Sequence, residues 1–265
     1  MAYFDLTSAT SNAYRTTWNE RRYLMRLAAL PVALKLFFFT LAVSYAPGDG
    51  QHLRFVLIMV PALLAEGWML SHYVRLIVLG HRWPFRPTGD MQADFAVLAV
   101  RARGILSGMI SFTLINMTLG LFVALVMAYL LPYMPESEGA AANVPGGVAF
   151  FSLALLVFMF WAFRLIWLYI PFSLNMDPLS YLDAIRGIGS SLHLIGIWFL
   201  CFLPFFLGLQ FMAGLIAGPV AASTDGVAGS FLLVVFKVLF DTLKNIVATA
   251  GLTYAFMQLY EKDGQ

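Results

Sequence analysis

Long apolar runs separated by short polar connections make up most of this chain. Six runs, at about Leu27–Tyr45, Leu53–Leu76, Ile105–Tyr129, Val148–Ile170, Leu192–Ala217 and Phe231–Tyr254, come near or exceed the ~20 residues a helix needs to cross a bilayer. Three further segments have amphipathic spacing. In residues 7–25, Tyr14, Trp18 and Met25 fall on one stripe, with Arg15 and Arg22 away from it, and Thr7, Ser8 and Ser11 offer helix caps. Asp90–Arg103 puts Met91, Phe95 and Leu98 on one face and Asp90, Asp94 and Arg101 on another. Asp177–Ile188 opens with an N-cap aspartate and Pro178 at the first helical position, with Leu179 and Leu182 opposing Asp183 and Arg186. Such segments suit the headgroup layer. The first reads equally well as a solvated helix docked on the protein.

Each amphipathic segment precedes a pair of apolar runs, and Arg15, Arg101 and Arg186 recur at nearly equal intervals. The expected fold is therefore all-α and polytopic, with six transmembrane helices arranged as three hairpins. A cytoplasmic interfacial helix (about 7–25, 90–103 and 177–188) precedes each hairpin, and the whole chain forms one integral membrane domain.

Composition narrows the class. Hydrophobic residues make up 61% of the chain and charged residues only 11%, against about 25% charged in soluble domains, so a water-soluble core is excluded. The formal charge of +2 is too small to suggest nucleic acid as a partner. The lone cysteine, Cys201, offers neither a disulfide framework nor a Cys-based metal site. The polar residues 1–22 do not resemble a cleavable leader, and Ala2 replaces the glycine that myristoylation requires.

Orientation follows from where the bases fall. Arg15, Arg21, Arg22 and Arg26 precede the first run. The connection Arg75–Arg103 holds Arg75, His81, Arg82, Arg86, Arg101 and Arg103, Arg186 lies in the fourth connection and Lys262 in the tail. Arg54 alone falls on the other side, beside Asp49, Glu136, Glu138 and Asp225. Positive loops stay in the cytoplasm, so both termini are expected there.

Pro171, then Asp183-Ala184-Ile185-Arg186 running into Ser190-Ser191, resembles the short Ala/Arg/Ser helix that opens the last hairpin in the YciC-like proteins. That bacterial six-helix family includes the membrane domains fused to glycerophosphodiester phosphodiesterases. The resemblance implies the bacterial inner membrane and a link to lipids. No phosphodiesterase domain accompanies these residues, so that activity is not implied.

Charges inside the apolar runs are the candidate functional residues, because each is costly in hydrocarbon unless paired or wet. Lys35 in the first run and Glu66 in the second lie at similar depths and are expected to pair. Lys237, Asp241 and Lys244 share one stripe of the sixth run, extended by Ser230, Ala248 and Gly251. Leu232, Val235 and Leu239 form its apolar opposite side. Arg164 in the fourth run and Asn116 in the third are further candidates for a polar interior. These groups read first as staples fixing the register of a bundle, then as a substrate or ion path, and last as a means of binding a partner within the membrane.

Gly104 with Gly108, and Gly214 with Gly218, offer small-residue faces for close helix approach. Pro31, Pro61 and Pro204 are expected to bend their helices. His72 and His193, both near span ends, would need facing geometry to hold haem, and isolated histidines there are more often interfacial. No cofactor or metal is expected. Gly-x-Ser-x-Gly, His-Glu-x-x-His and P-loop signatures are absent. Ser190 and Ser191 have only His193 as a base, so no catalytic residues are assigned.

The expected function is non-enzymatic: organising or sensing the cytoplasmic leaflet, with Arg82, Arg86, Arg101 and Arg103 on anionic headgroups. The alternative is a small transporter or transporter-associated subunit with a polar path through the bundle. Membrane lipids are the expected partners, and the sequence leaves open a membrane-protein partner or a homo-oligomer.

Overall fold

The computed structural model describes residues 5–45, 52–130, 146–185, 187–222 and 226–263, and within these the chain is helical, with no strand. The helices are α1 (Leu6–Asn19), α2 (Arg21–Tyr45), α3 (His52–Leu79), α4 (Met91–Leu130), α5 (Gly146–Ala162), α6 (Tyr169–Ser173), α7 (Pro178–Ala184), α8 (Ile188–Ala222) and α9 (Gly226–Asp263). A 3₁₀ segment, Phe163–Trp167, lies between α5 and α6. Asp49, Glu136, Glu138, Arg186 and Asp225 lie outside the described residues.

Among the described residues, four helical stretches, Arg21–Tyr45, Leu53–Leu79, Met91–Val126 and Gly189–Leu215, are long and apolar enough to cross a membrane. The chain is thus an integral membrane protein by its helices. The other two expected spans are not among these four. The apolar part of the fourth run ends early: α5 has 17 residues, about 26 Å at 1.5 Å per residue, before the tighter 3₁₀ turn that carries Arg164. α9 is long enough at 38 residues, but Lys237, Asp241 and Lys244 interrupt its apolar run.

The amphipathic segments also differ from expectation. Asp5, not Thr7, Ser8 or Ser11, caps α1, its side chain accepting from the Thr7 amide at 2.9 Å. α1 docks through small residues: Ala9 and Ala13 are fully buried, whereas Trp18 and Met25, on the expected stripe, are exposed. Its polar contacts run to the bundle, with Thr16 to Tyr254 at 2.6 Å, Thr17 to Tyr73 at 2.9 Å, and the Asp5 amide to Gln258 at 2.9 Å. The second segment does not end near Arg103. It continues into the following run as the single 40-residue α4, because no proline breaks the ladder. The third is the short α7, capped by Asp177 with Pro178 in its first turn as expected.

α3 packs chiefly on α4 and α2, and α8 on α9. α1 lies across α9 and α8. α4 and α5, expected partners in the middle hairpin, meet at the Phe122–Phe158 ring pair (6.1 Å), while α4 spends more of its surface on α6. Close approach there depends on Gly104 and Gly108. A Cβ at Gly104 would meet the Arg75 guanidinium and the Ser173 carbonyl, and one at Gly108 would overlap the Ser173 and Ser71 hydroxyls. Gly214, by contrast, faces open space. The main core gathers α1, α3, the α6–α7 region, α8 and α9 around Tyr73, Tyr169, Ile197 and Leu252.

Candidate functional site

Three helices bring charges together in mid-bundle. Lys35 of α2 comes within hydrogen-bond reach of both Glu66 of α3 and Asp241 of α9, which sets the three at one depth. Lys35 Nζ donates to both Glu66 oxygens at 2.8 Å and to Asp241 Oδ2 at 2.5 Å. Lys244, one turn further along α9, donates to Asp241 Oδ1. Asn245 Nδ2 donates to Glu66 Oε1 at 2.8 Å. Two bases face two acids, so the cluster is neutral. Glu66 and Lys35 are buried, with 2% and 7% exposure. That arrangement satisfies the rule that buried charges are paired and hydrogen-bonded.

The remaining predicted residues lie apart from it. Lys237 is exposed, with its ammonium 5.0 Å from the centre of the Phe39 ring. It shares with Lys35, Asp241 and Lys244 a cavity of about 150 Å³ walled by Phe205 and Phe240. Asn116 turns back on its own helix, its amide donating to the Phe112 carbonyl at 2.8 Å. Arg164 reaches the Ile185 carbonyl at 3.5 Å. Ala248 and Gly251 extend the stripe as packing surface: both are buried, and a Cβ at Gly251 would crowd Cys201 and Ile197 of α8. Leu232 and Leu239, on the opposite side, are exposed.

Sequence reasoning missed Asn245. The only available signal was its position four residues after Asp241, one helical turn along the same stripe.

The basic connection forms a second polar region at the end of the bundle. Arg82 bridges to Glu20, at the α1–α2 junction, at 2.6 Å, and its guanidinium lies 5.7 Å from the Tyr23 ring centre. The Trp83 amide donates to the Tyr23 hydroxyl at 3.1 Å. Arg86 and Arg103 are exposed, whereas Arg101 is buried and donates to the Arg82 carbonyl. Asp90 caps α4, accepting from Gln92 at 3.0 Å. Asp94 accepts from the Thr88 amide at 3.0 Å and its hydroxyl at 2.8 Å. Partial burial, and then the nearby Arg75 and Arg101 charges, hold the imidazole of His81 below its ordinary pKa.

His72 and His193 do not form a pair. His193 hydrogen-bonds the Gly189 carbonyl at 2.7 Å on its own helix, and His72 packs edge-on to Trp68 at 4.8 Å. Among the described residues no cluster of three His, Cys, Asp or Glu side chains is placed to hold a metal. No family model, curated protein or solved structure matches this chain.

Proposed function

We propose that this is a non-enzymatic, six-span protein of the bacterial inner membrane, with both termini in the cytoplasm, which contacts anionic lipid through its basic cytoplasmic end. The observation that carries this reading is the inversion of α4's first turns. Met91, Phe95 and Leu98 point outward with 86%, 75% and 41% exposure, while Asp94 and Arg101 are buried inward. In water that arrangement would be inside out; against a bilayer surface it is favourable. α4 is also too long for the hydrocarbon alone: 40 residues make about 60 Å, against a core of ~30 Å. Its first turns therefore extend into the headgroup layer, where the exposed Arg86 and Arg103 meet anionic lipid at about 1 kcal/mol each, and Arg82, bridged to Glu20, and the buried Arg101 add positive charge behind them. The same orientation places the α5 and α9 segments across the bilayer as the fourth and sixth spans, completing three hairpins.

The test is lipid selectivity after reconstitution. Spin-labelled anionic lipid should be enriched around the wild-type protein relative to zwitterionic lipid. Changing Arg82, Arg86, Arg101 and Arg103 to Gln should remove most of that enrichment. Equal contact with both lipids in the wild type overturns the reading.

A second reading, transport along a polar path, is supported by the cavity beside Lys237, Asp241 and Lys244. The neutral, mutually satisfied cluster favours a staple. A water-soluble thiol reagent should therefore react slowly with a cysteine at Lys237 or at Ala248, in a background lacking Cys201. Fast reaction at both positions would favour the path.

A further inference from the structure

Between α3, α4 and the connection joining them lies a cleft of about 480 Å³ whose lining includes Trp68, His72, Trp83, Arg101, Leu106 and Met109. Its polar lining consists of His72, Arg101 and Arg103, and no carboxylate lines it. Behind it stands Arg75, 3% exposed, which donates to the Ser173 carbonyl at 2.8 Å. Among the described residues neither Arg75 nor Arg101 has a carboxylate within salt-bridge distance. His72 is 2% exposed, and its Nδ1 has no hydrogen-bond partner. Like charges gathered in a poorly solvated place without an acid, beside an unpartnered ring nitrogen, make a site short of one anion.

The cleft is also polar along its length. α3 runs toward the connection and α4 runs away from it, so Arg101, Arg103 and His72 lie nearer the end of the bundle. Trp68, Leu106 and Met109 lie deeper. Leu106 is 52% exposed, leaving the deep end open on the outer side of α4. Trp83, 50% exposed, stands 5.8 Å from Trp68 and 6.3 Å from His72. Tryptophans of this kind belong where hydrocarbon meets headgroups. A phosphate at the basic end of the cleft therefore continues into an apolar groove directed toward the membrane interior.

We propose that this cleft holds one anionic phospholipid, its phosphate among His72, Arg101 and Arg103 and an acyl chain along Leu106 and Met109. This deepens the lipid-contact reading and rests on its orientation. It replaces a diffuse surface attraction with a single stoichiometric site. Arg101 commits one donor to the Arg82 carbonyl, which leaves the rest of its guanidinium for the phosphate. Arg75 adds charge from behind without touching the ligand.

The experiment is native mass spectrometry of delipidated protein titrated with phosphatidylglycerol, phosphatidylcholine or inorganic phosphate. Wild type should take up one phosphatidylglycerol per chain, well ahead of phosphatidylcholine, and millimolar phosphate should not displace it. Arg101→Gln should weaken the uptake about tenfold, the scale of one lost charge-assisted hydrogen bond. Ala102→Trp, at an exposed position lining the same cleft, should block uptake by filling the groove without disturbing a buried contact. It keeps the test valid if Arg101→Gln folds poorly. Equal binding of both lipids by wild type and both variants overturns the proposal. Displacement by phosphate alone would make the cleft an anion site and overturn its assignment to lipid. If the reconstituted protein shows no anionic enrichment yet one phosphatidylglycerol still binds, only the broader surface reading fails. If enrichment persists while Ala102→Trp binds like wild type, only the cleft fails.

Discussion

Two polar regions in this bundle both bury charge, and they end in different electrostatic states. In mid-bundle, Lys35 and Lys244 meet Glu66 and Asp241, every carboxylate is engaged, and Asn245 completes the coordination of Glu66. At the end of the bundle, Arg75, Arg101 and His72 are gathered with no acid among them. A buried charge that is answered within the protein holds helices in register and has little valence left for a ligand. One that is left unanswered has to be answered from outside. This is why the deeper cluster is assigned to structure and the cleft to lipid, although residue type alone would favour the reverse.

The largest expected effect tests the staple. Lys35 is the only base paired with Glu66 among the described residues, and Glu66 is 2% exposed. Lys35→Met leaves that carboxylate buried with Asn245 alone. Breaking such a pair from one side costs about 3–5 kcal/mol, to be read as a drop in thermal stability in detergent. Adding Glu66→Gln to Lys35→Met should recover most of the loss, because the stranded charge disappears with its partner. Asp241→Asn should cost less than Lys35→Met, since the Asp241 side chain is 36% exposed and Lys35 keeps Glu66. A Lys35→Met protein as stable as wild type would mean water already reaches the cluster.

Gly108→Ala separates packing from charge. Its new methyl would overlap the Ser173 and Ser71 hydroxyls at an interface where α3 and α4 meet without an ion pair. Overpacking of this kind costs about 1–3 kcal/mol, an effect expected to be independent of lipid and of salt. Arg101→Gln should be milder still in lipid-free detergent, about 1 kcal/mol or less, because losing a bond to a carbonyl is partly offset by relief from the neighbouring Arg75. With phosphatidylglycerol added, wild type should gain stability by mass action and Arg101→Gln should gain less at the same lipid concentration. A penalty for Arg101→Gln equal to that of Lys35→Met would erase the distinction between the two regions.

The mid-bundle cluster was largely legible in the sequence because charges stand out against apolar runs, and because Lys237, Asp241 and Lys244 keep helical spacing. Spacing on one helix does not reveal which residue faces a neighbouring helix, so Lys237 reads as an equal member although it lies over Phe39, outside the ion-pair network. Asn116 and Arg164 were equally visible as polar residues, but Asn116 turns back to a carbonyl of its own helix and Arg164 reaches the Ile185 carbonyl beyond α7. The cleft was illegible for a different reason. Arg75 and Arg101 account so well for orientation that nothing in the sequence asks for a second role, and Trp83 joins His72 only through the fold of the connection. The docking of α1 was hidden too, since its buried face is Ala9 and Ala13, which carry almost no amphipathic signal beside Trp18.

The smallest expected effect reads the acid-free cleft from outside. His81 lies just beyond α3, exposed, its amide donating to the Arg75 carbonyl at 3.3 Å. Its imidazole is held below its ordinary pKa by partial burial and then by the Arg75 and Arg101 charges. The folded protein therefore takes up this proton less readily than the unfolded chain. Any stability tied to His81 is intact above the ordinary histidine pKa of about 6.5 and is lost as pH falls through it toward the depressed folded value. The residue is exposed, so the stability change itself should be slight, and its titration is the better observable. In carbon-13 histidine spectra, assigned with His81→Gln, the His81 midpoint should rise when Arg101 is changed to Gln. It should rise again in wild type when phosphatidylglycerol is added, because a bound phosphate offsets the same positive field. Lys35→Met, which alters the neutral cluster, should leave the midpoint where it was. A midpoint that moves with Arg101→Gln but not with phosphatidylglycerol would show that the field is present while the cleft stays empty of lipid. A midpoint unmoved by either would leave burial and Arg75 as the causes, and the contrast between the two regions would lose the part of its electrostatic basis that rests on Arg101.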